Sequence, residues 1–105
     1  MKRRKKPRLS LATAEVVVAR CDGWCECGCG CGLRATQHHH VFSQSLFPEL
    51  ADEADNVIAL AARCHDLHTL AVRRLPRSVC ARAERLAITP RMENYLDRNY
   101  RRDPE

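Results

Sequence analysis

The chain has 105 residues, enough for one domain with a modest core, and its 45% apolar content fits a folded globular chain. No apolar run approaches the ~20 residues of a spanning helix, which excludes a helical membrane span and leaves a cytoplasmic protein as the default expectation. The formal charge of +5 is uneven: residues 1–8 carry six basic residues and no acid, residues 9–70 three basic and eight acidic, and residues 71–105 nine basic and five acidic.

Basic ends around an acidic middle suit a chain that holds a polyanion at its ends and a cation at its centre; solvated surface is the plainer alternative. Met1–Arg8 is expected to be a disordered arm, with Lys2, Arg3, Arg4, Lys5 and Lys6 free to contact nucleic-acid phosphates. Glu15 interrupts the apolar stretch that follows, which argues against a signal peptide. Ser10 can cap a first helix over roughly Leu11–Arg20, with Val16, Val17 and Ala19 inward; the three valines suit a strand as well.

Residues 21–32 contain all four glycines and five of the seven cysteines, at 21, 25, 27, 29 and 31. Such glycine density predicts irregular chain. An odd, local cysteine cluster predicts reduced, metal-linked thiols rather than a disulfide framework. Residues 33–42 are expected to form one strand of a hairpin, residues 43–55 a loop anchored by Phe47 and Leu50, and Val57–Leu60 the return strand. A helix is expected over Ala61–Arg74, ended by Pro76, with Leu60, Cys64, Leu67 and Ala71 near one stripe. Two more should follow, over roughly Val79–Ala87 after Ser78 and over Arg91–Tyr100 after Thr89-Pro90. Arg73, Arg74 and Arg77 suit phosphate contact or a solvated helix end. Cys80, Trp24 and Tyr95 are assigned to packing.

Imidazoles bracket the hairpin and the helix. His39 and His40, adjacent on a strand, point to opposite sides, while His65 and His68, three apart, share a helix face. A neutral histidine can act as general base near neutral pH, and imidazoles also bind divalent metals.

The words Gln37-His38-His39-His40-Val41-Phe42, Asn56-Val57-Ile58-Ala59-Leu60 and Arg63-Cys64-His65-Asp66-Leu67-His68-Thr69 together resemble the HNH endonucleases, over about residues 20–70. The resemblance implies an α+β fold with a ββα-metal (His-Me finger) core, an N-terminal helix and additional C-terminal helices. Residues 9–75 would form the nuclease core and 76–105 a helical extension of the same domain. It implies His40 as general base, Asn56 as the residue pinning the loop between the strands, and His39, His65 and His68 as ligands of one divalent metal (Zn, Mn, Mg or Ni). A register shifted by one would make His38 the ligand and His39 the base. The family's paired Cys-x-x-Cys knuckles are absent, since Ala61 stands where a cysteine is usual before Cys64. A structural zinc on Cys25 or Cys27, Cys29 and Cys64 is one alternative, a decayed knuckle the other. The implied function is hydrolysis of DNA phosphodiesters, with phage or bacterial DNA processing or packaging as the setting the likeness suggests. A non-catalytic zinc-dependent DNA-binding module and a metal-storage or structural Cys/His protein are the competing readings.

Overall fold

The computed structural model describes residues 9–86 and 88–102. The basic arm expected at residues 1–8, with Lys2, Arg3, Arg4, Lys5 and Lys6, lies outside them. The described chain is a small α+β unit with three α-helices and one two-stranded antiparallel sheet.

Helix α1 spans Leu11–Cys21 and begins as expected: Ser10 Oγ accepts from the Thr13 amide at 3.2 Å. Only one of the three residues expected to pack inward does so. Val17 is fully buried, while Val16 and Ala19 are exposed. The helix meets β2 through a narrow contact, so one residue per few turns suffices. Arg20 fastens the junction, donating to the carbonyls of Ala54 (2.9 Å) and Val57 and pairing with Glu26 at 3.2 Å.

Strand β1 is Gln37–His40, shorter than the 33–42 expected, and it pairs with β2, Val57–Leu60, in the register His39 opposite Ile58 and His40 opposite Val57. Residues 33–34 fail to extend β1 because they turn back on the glycine-rich loop, where Arg34 bridges Trp24. All four β2 residues are buried, as a strand covered on both faces must be. Val57 and Ala59 meet Val17 of α1; Ile58 and Leu60 meet the main core, with Phe42, Cys64 and Leu96. Since paired residues share a face, Gln37 and His39 look towards the main core, and His38 and His40 to the other side.

The loop between the strands carries two 3-10 turns, Pro48–Leu50 and Ala54–Asn56, and Phe47 anchors it at 2% exposure. Helix α2, Ala62–Thr69, stops well before residue 74. Leu70 and Val72 are exposed and Ala71 is left-handed, at φ 57°, so no apolar face continues past the turn. The helix expected over 79–87 is replaced by 3-10 turns at Arg77–Cys80 and Ala83–Arg85. Cys80, at the end of the first turn, and Ala83, at the start of the second, are both fully buried and tie this segment to the core. Helix α3, Pro90–Asn99, starts where expected: Pro90 is its first residue, and Thr89 Oγ1 accepts from the Met92 amide at 3.3 Å. Among the described residues no helix is long and apolar enough to cross a membrane.

Candidate functional site

The imidazoles gather where β1 crosses α2. The His39 ring centre lies 5.2 Å from that of His65 and 5.0 Å from that of His68. Two imidazoles on one ion, each at ~2 Å, place their ring centres roughly 5 Å apart, so these spacings fit a shared cation. The twofold alternation of β1 decides which histidine of the run takes part: His39 faces α2, and His38 is exposed on the other side.

Hydrogen bonds then fix which nitrogens are open. The Tyr100 hydroxyl donates to the Val41 carbonyl at 3.1 Å and therefore accepts from His39 Nε2, 2.7 Å away. That leaves the lone pair of His39 on Nδ1. His65 Nδ1 donates to Gln37 Oε1, leaving Nε2 open. The Leu75 amide donates to His68 Nδ1 at 2.9 Å. A neutral ring has a single lone pair, so His68 as placed has none left for a metal. His39 and His65 remain as the candidate ligands, and His68 serves to buttress them, stacked on Tyr100 at 4.9 Å.

Burial, with the neighbouring imidazoles adding, lowers the His39 pKa to about 3; burial, with Arg74 and His65, lowers that of His68 to about 4. Both rings fold neutral, whereas the unfolded chain protonates near 6.5. Their contribution is therefore complete above pH 6.5 and is lost as pH falls towards 3–4. The loss should reach about 2–3 kcal/mol per ring by pH 4.5. His68→Asn keeps an acceptor for the Leu75 amide but cannot titrate. Urea unfolding at pH 7 and pH 4.5 should show a shallower acid loss in this variant, by about 2 kcal/mol.

His40 lies on the opposite face of β1. Its Nε2 donates to the Ala51 carbonyl at 2.8 Å, so Nδ1 carries the lone pair and accepts from Gln44 Nε2 at 2.9 Å. Asn56, fully buried, closes the loop: its Oδ1 accepts from the Phe42 amide at 2.7 Å, and its Nδ2 donates to the Phe42 and Leu50 carbonyls, both at 3.0 Å. An open cleft of about 520 Å³ runs along these residues, lined by His38, His39, His40, Gln44 and His65.

The cysteines form a second centre. Ligand sulfurs of Cys25, Cys27, Cys31 and Cys64 all lie within 4.8 Å of one another, and they can hold a metal ion. A tetrahedral zinc–thiolate site has sulfurs roughly 3.8 Å apart at ~2.3 Å bonds, close to this arrangement. The set expected from sequence was Cys25, Cys27, Cys29 and Cys64; Cys31 takes the place of Cys29. Cys29 stays adjacent, with its sulfur 2.6 Å from that of Cys27 and 3.8 Å from that of Cys64. The Leu33 amide lowers the Cys31 thiol to about 7, while burial pushes the Cys64 thiol up, which a bound cation reverses.

Of the three arginines suited to phosphate contact or a solvated helix end, Arg73 is exposed and Arg74 half-buried. Arg73 and Arg74 line a crevice beside Cys27, Cys29 and Cys64. Arg77 is fully engaged by acids, at 3.0 Å from Glu84, 2.7 Å from Glu93 and 2.6 Å from Asp97, and has no fork left for phosphate. Trp24 is half exposed under the Arg34 guanidinium, 4.4 Å away, rather than packed in the core. Sequence reasoning missed Gln37, Gln44 and Tyr100, which orient the imidazoles; Gln37 and Gln44 had only their nearness to the histidine run as a signal. Comparison with protein-family models, with curated proteins and with solved structures returned no match to this chain.

Proposed function

We propose that the chain is a metal-dependent DNA endonuclease with an HNH-type ββα-metal core formed by β1, β2 and α2. The observation that carries this reading is the approach of His39 to His65, 5.2 Å between ring centres, with His40 next along the same strand carrying its lone pair on Nδ1, where the Gln44 amide now donates. His39 and His65 would hold one divalent cation, which when bound neutralises charge on the phosphoryl oxygens and on the departing 3′ oxygen. His40 Nδ1 takes the proton from the attacking water, in the position where the Gln44 amide now points. The Ala51 carbonyl holds the proton on His40 Nε2 and so keeps Nδ1 basic. Asn56 holds the loop that carries Ala51. Burial of Tyr100 keeps its phenol protonated, and the phenol fixes the His39 ring. At the second centre we infer a structural zinc on Cys25, Cys27, Cys31 and Cys64.

Supercoiled plasmid incubated with the protein and Mg, Mn, Ni or Zn tests the reading. Metal-dependent nicking or linearisation is expected, falling about 10²–10⁴-fold in His40→Ala, the usual contribution of a general base. His40→Ala should retain the metal bound at His39 and His65; His39→Ala should lose it. Equal cleavage by wild type and His40→Ala overturns the assignment of the base. A gel shift with intact plasmid under every metal supports instead a zinc-dependent DNA-binding module, for which the cysteine centre alone would suffice.

A further inference from the structure

Helix α3 sorts its side chains by charge. Met92 and Leu96 are buried in the core. Glu93 and Asp97 turn to Arg77, which pairs with both. Arg91, Asn94 and Arg98, at i, i+3 and i+7, share a third face and line an open groove of about 670 Å³. Tyr95 lines this groove and the histidine cleft alike, so the two adjoin at that side chain.

The groove is built for an anion. The Arg91 guanidinium stacks over the Phe47 ring at 4.8 Å and donates to the Leu46 carbonyl at 3.3 Å, which holds it in place with donors to spare. Arg98 is exposed and makes no ion pair among the described residues. Among the described residues no carboxylate lines the groove. Arg77 has a part in this arrangement: it draws the Glu93 and Asp97 carboxylates to its own side of α3, away from the arginine face.

We infer that the α3 groove between Arg91 and Arg98 is the track along which a DNA phosphodiester backbone enters the histidine cleft. The inference rests on the nuclease reading and adds to it the residues that grip the substrate. Seven residues of helix separate the two guanidiniums by roughly 10 Å, so they would contact different phosphates. Asn94 adds an uncharged donor between them.

The test is binding rather than cleavage. Full-length His40→Ala protein is titrated onto a fluorescein-labelled DNA duplex over a series of salt concentrations, followed by anisotropy. Arg91→Ala/Arg98→Ala is compared in the same background with Arg63→Ala/Arg85→Ala, which removes equal charge from exposed positions outside the groove. The groove variant should bind at least about 10-fold more weakly near 0.15 M salt, and its log–log salt slope should fall by about 2, one phosphate per arginine. The control should stay near the parent. Far-ultraviolet circular dichroism confirms that each variant is folded. Parent-like affinity and slope in the groove variant overturn the track and leave the nuclease reading standing. Failure of every protein to bind duplex overturns both.

Discussion

Cys64→Ser is expected to release the metal of the cysteine centre and to remove most of the folding stability of the chain. Cys64 is the one ligand of the four that lies outside the loop of residues 21–32, so it alone ties that loop to α2. The remaining polar attachment centres on Glu26: its amide donates to the Ala59 carbonyl at 2.8 Å, its Oε1 accepts from the Ala59 amide at 3.0 Å, and it pairs with Arg20 at 3.2 Å and Arg82 at 3.5 Å, while the Ala61 amide donates to Cys25 Sγ at 3.2 Å. Structural zinc contributes about 10–16 kcal/mol in small domains, against a total stability of about 5–15 kcal/mol. Losing one ligand should therefore drop the melting point by tens of degrees or abolish the transition. Cys80→Ala, at a buried cysteine outside the centre, is the control and should cost only about 1–2 kcal/mol. Cys29→Ser should keep one equivalent of zinc and Cys31→Ser should not. Zinc content by a chromogenic chelator and thermal melts followed by circular dichroism decide between them. A Cys64→Ser protein with unchanged melting point and zinc content would dismiss the site.

The contrast between Cys29 and Cys31 shows where reading the sequence stops. Helix starts were legible because Ser10 and Thr89 act on amides three residues away. Strand β2 was legible from a continuous apolar run. Gathering of His39 and His65 followed from the period of a strand and the order of the motif words. The identity of the fourth thiol did not. It depends on a loop whose alternate glycines, such as Gly28 at φ 72° and Gly30 at φ 73°, reverse the chain between cysteines, and no periodicity describes such a path. Arg77 could not be read either, because its partners lie 7, 16 and 20 residues away. His68 shows the same limit in chemistry. Its place on the helix face was legible, but the amide that occupies its lone pair comes from Leu75, beyond the end of α2.

Asn56→Ala should be the most damaging single change in the histidine cleft that touches no reacting atom. The side chain makes three hydrogen bonds in a fully buried position, and its removal orphans the Phe42 amide and the Phe42 and Leu50 carbonyls. At about 1–3 kcal/mol for each buried group left unpaired, the cost should exceed about 3 kcal/mol. The activity loss should go further than stability explains. Leu50 is followed by Ala51, whose carbonyl holds the His40 proton on Nε2, so releasing Leu50 frees the contact that keeps Nδ1 basic and aimed at water. A displacement of that order costs about 10²-fold in rate. In plasmid cleavage measured where Asn56→Ala is still folded, kcat should fall by about that factor while KM barely moves, since phosphate binding is carried by other residues. Asn56→Asp keeps the acceptor for the Phe42 amide but turns a carboxylate towards two carbonyls, and it should fail in the same way. A folded Asn56→Ala protein with wild-type kcat would mean that His40 is held without this loop, and the positioning role of Asn56 would have to be withdrawn.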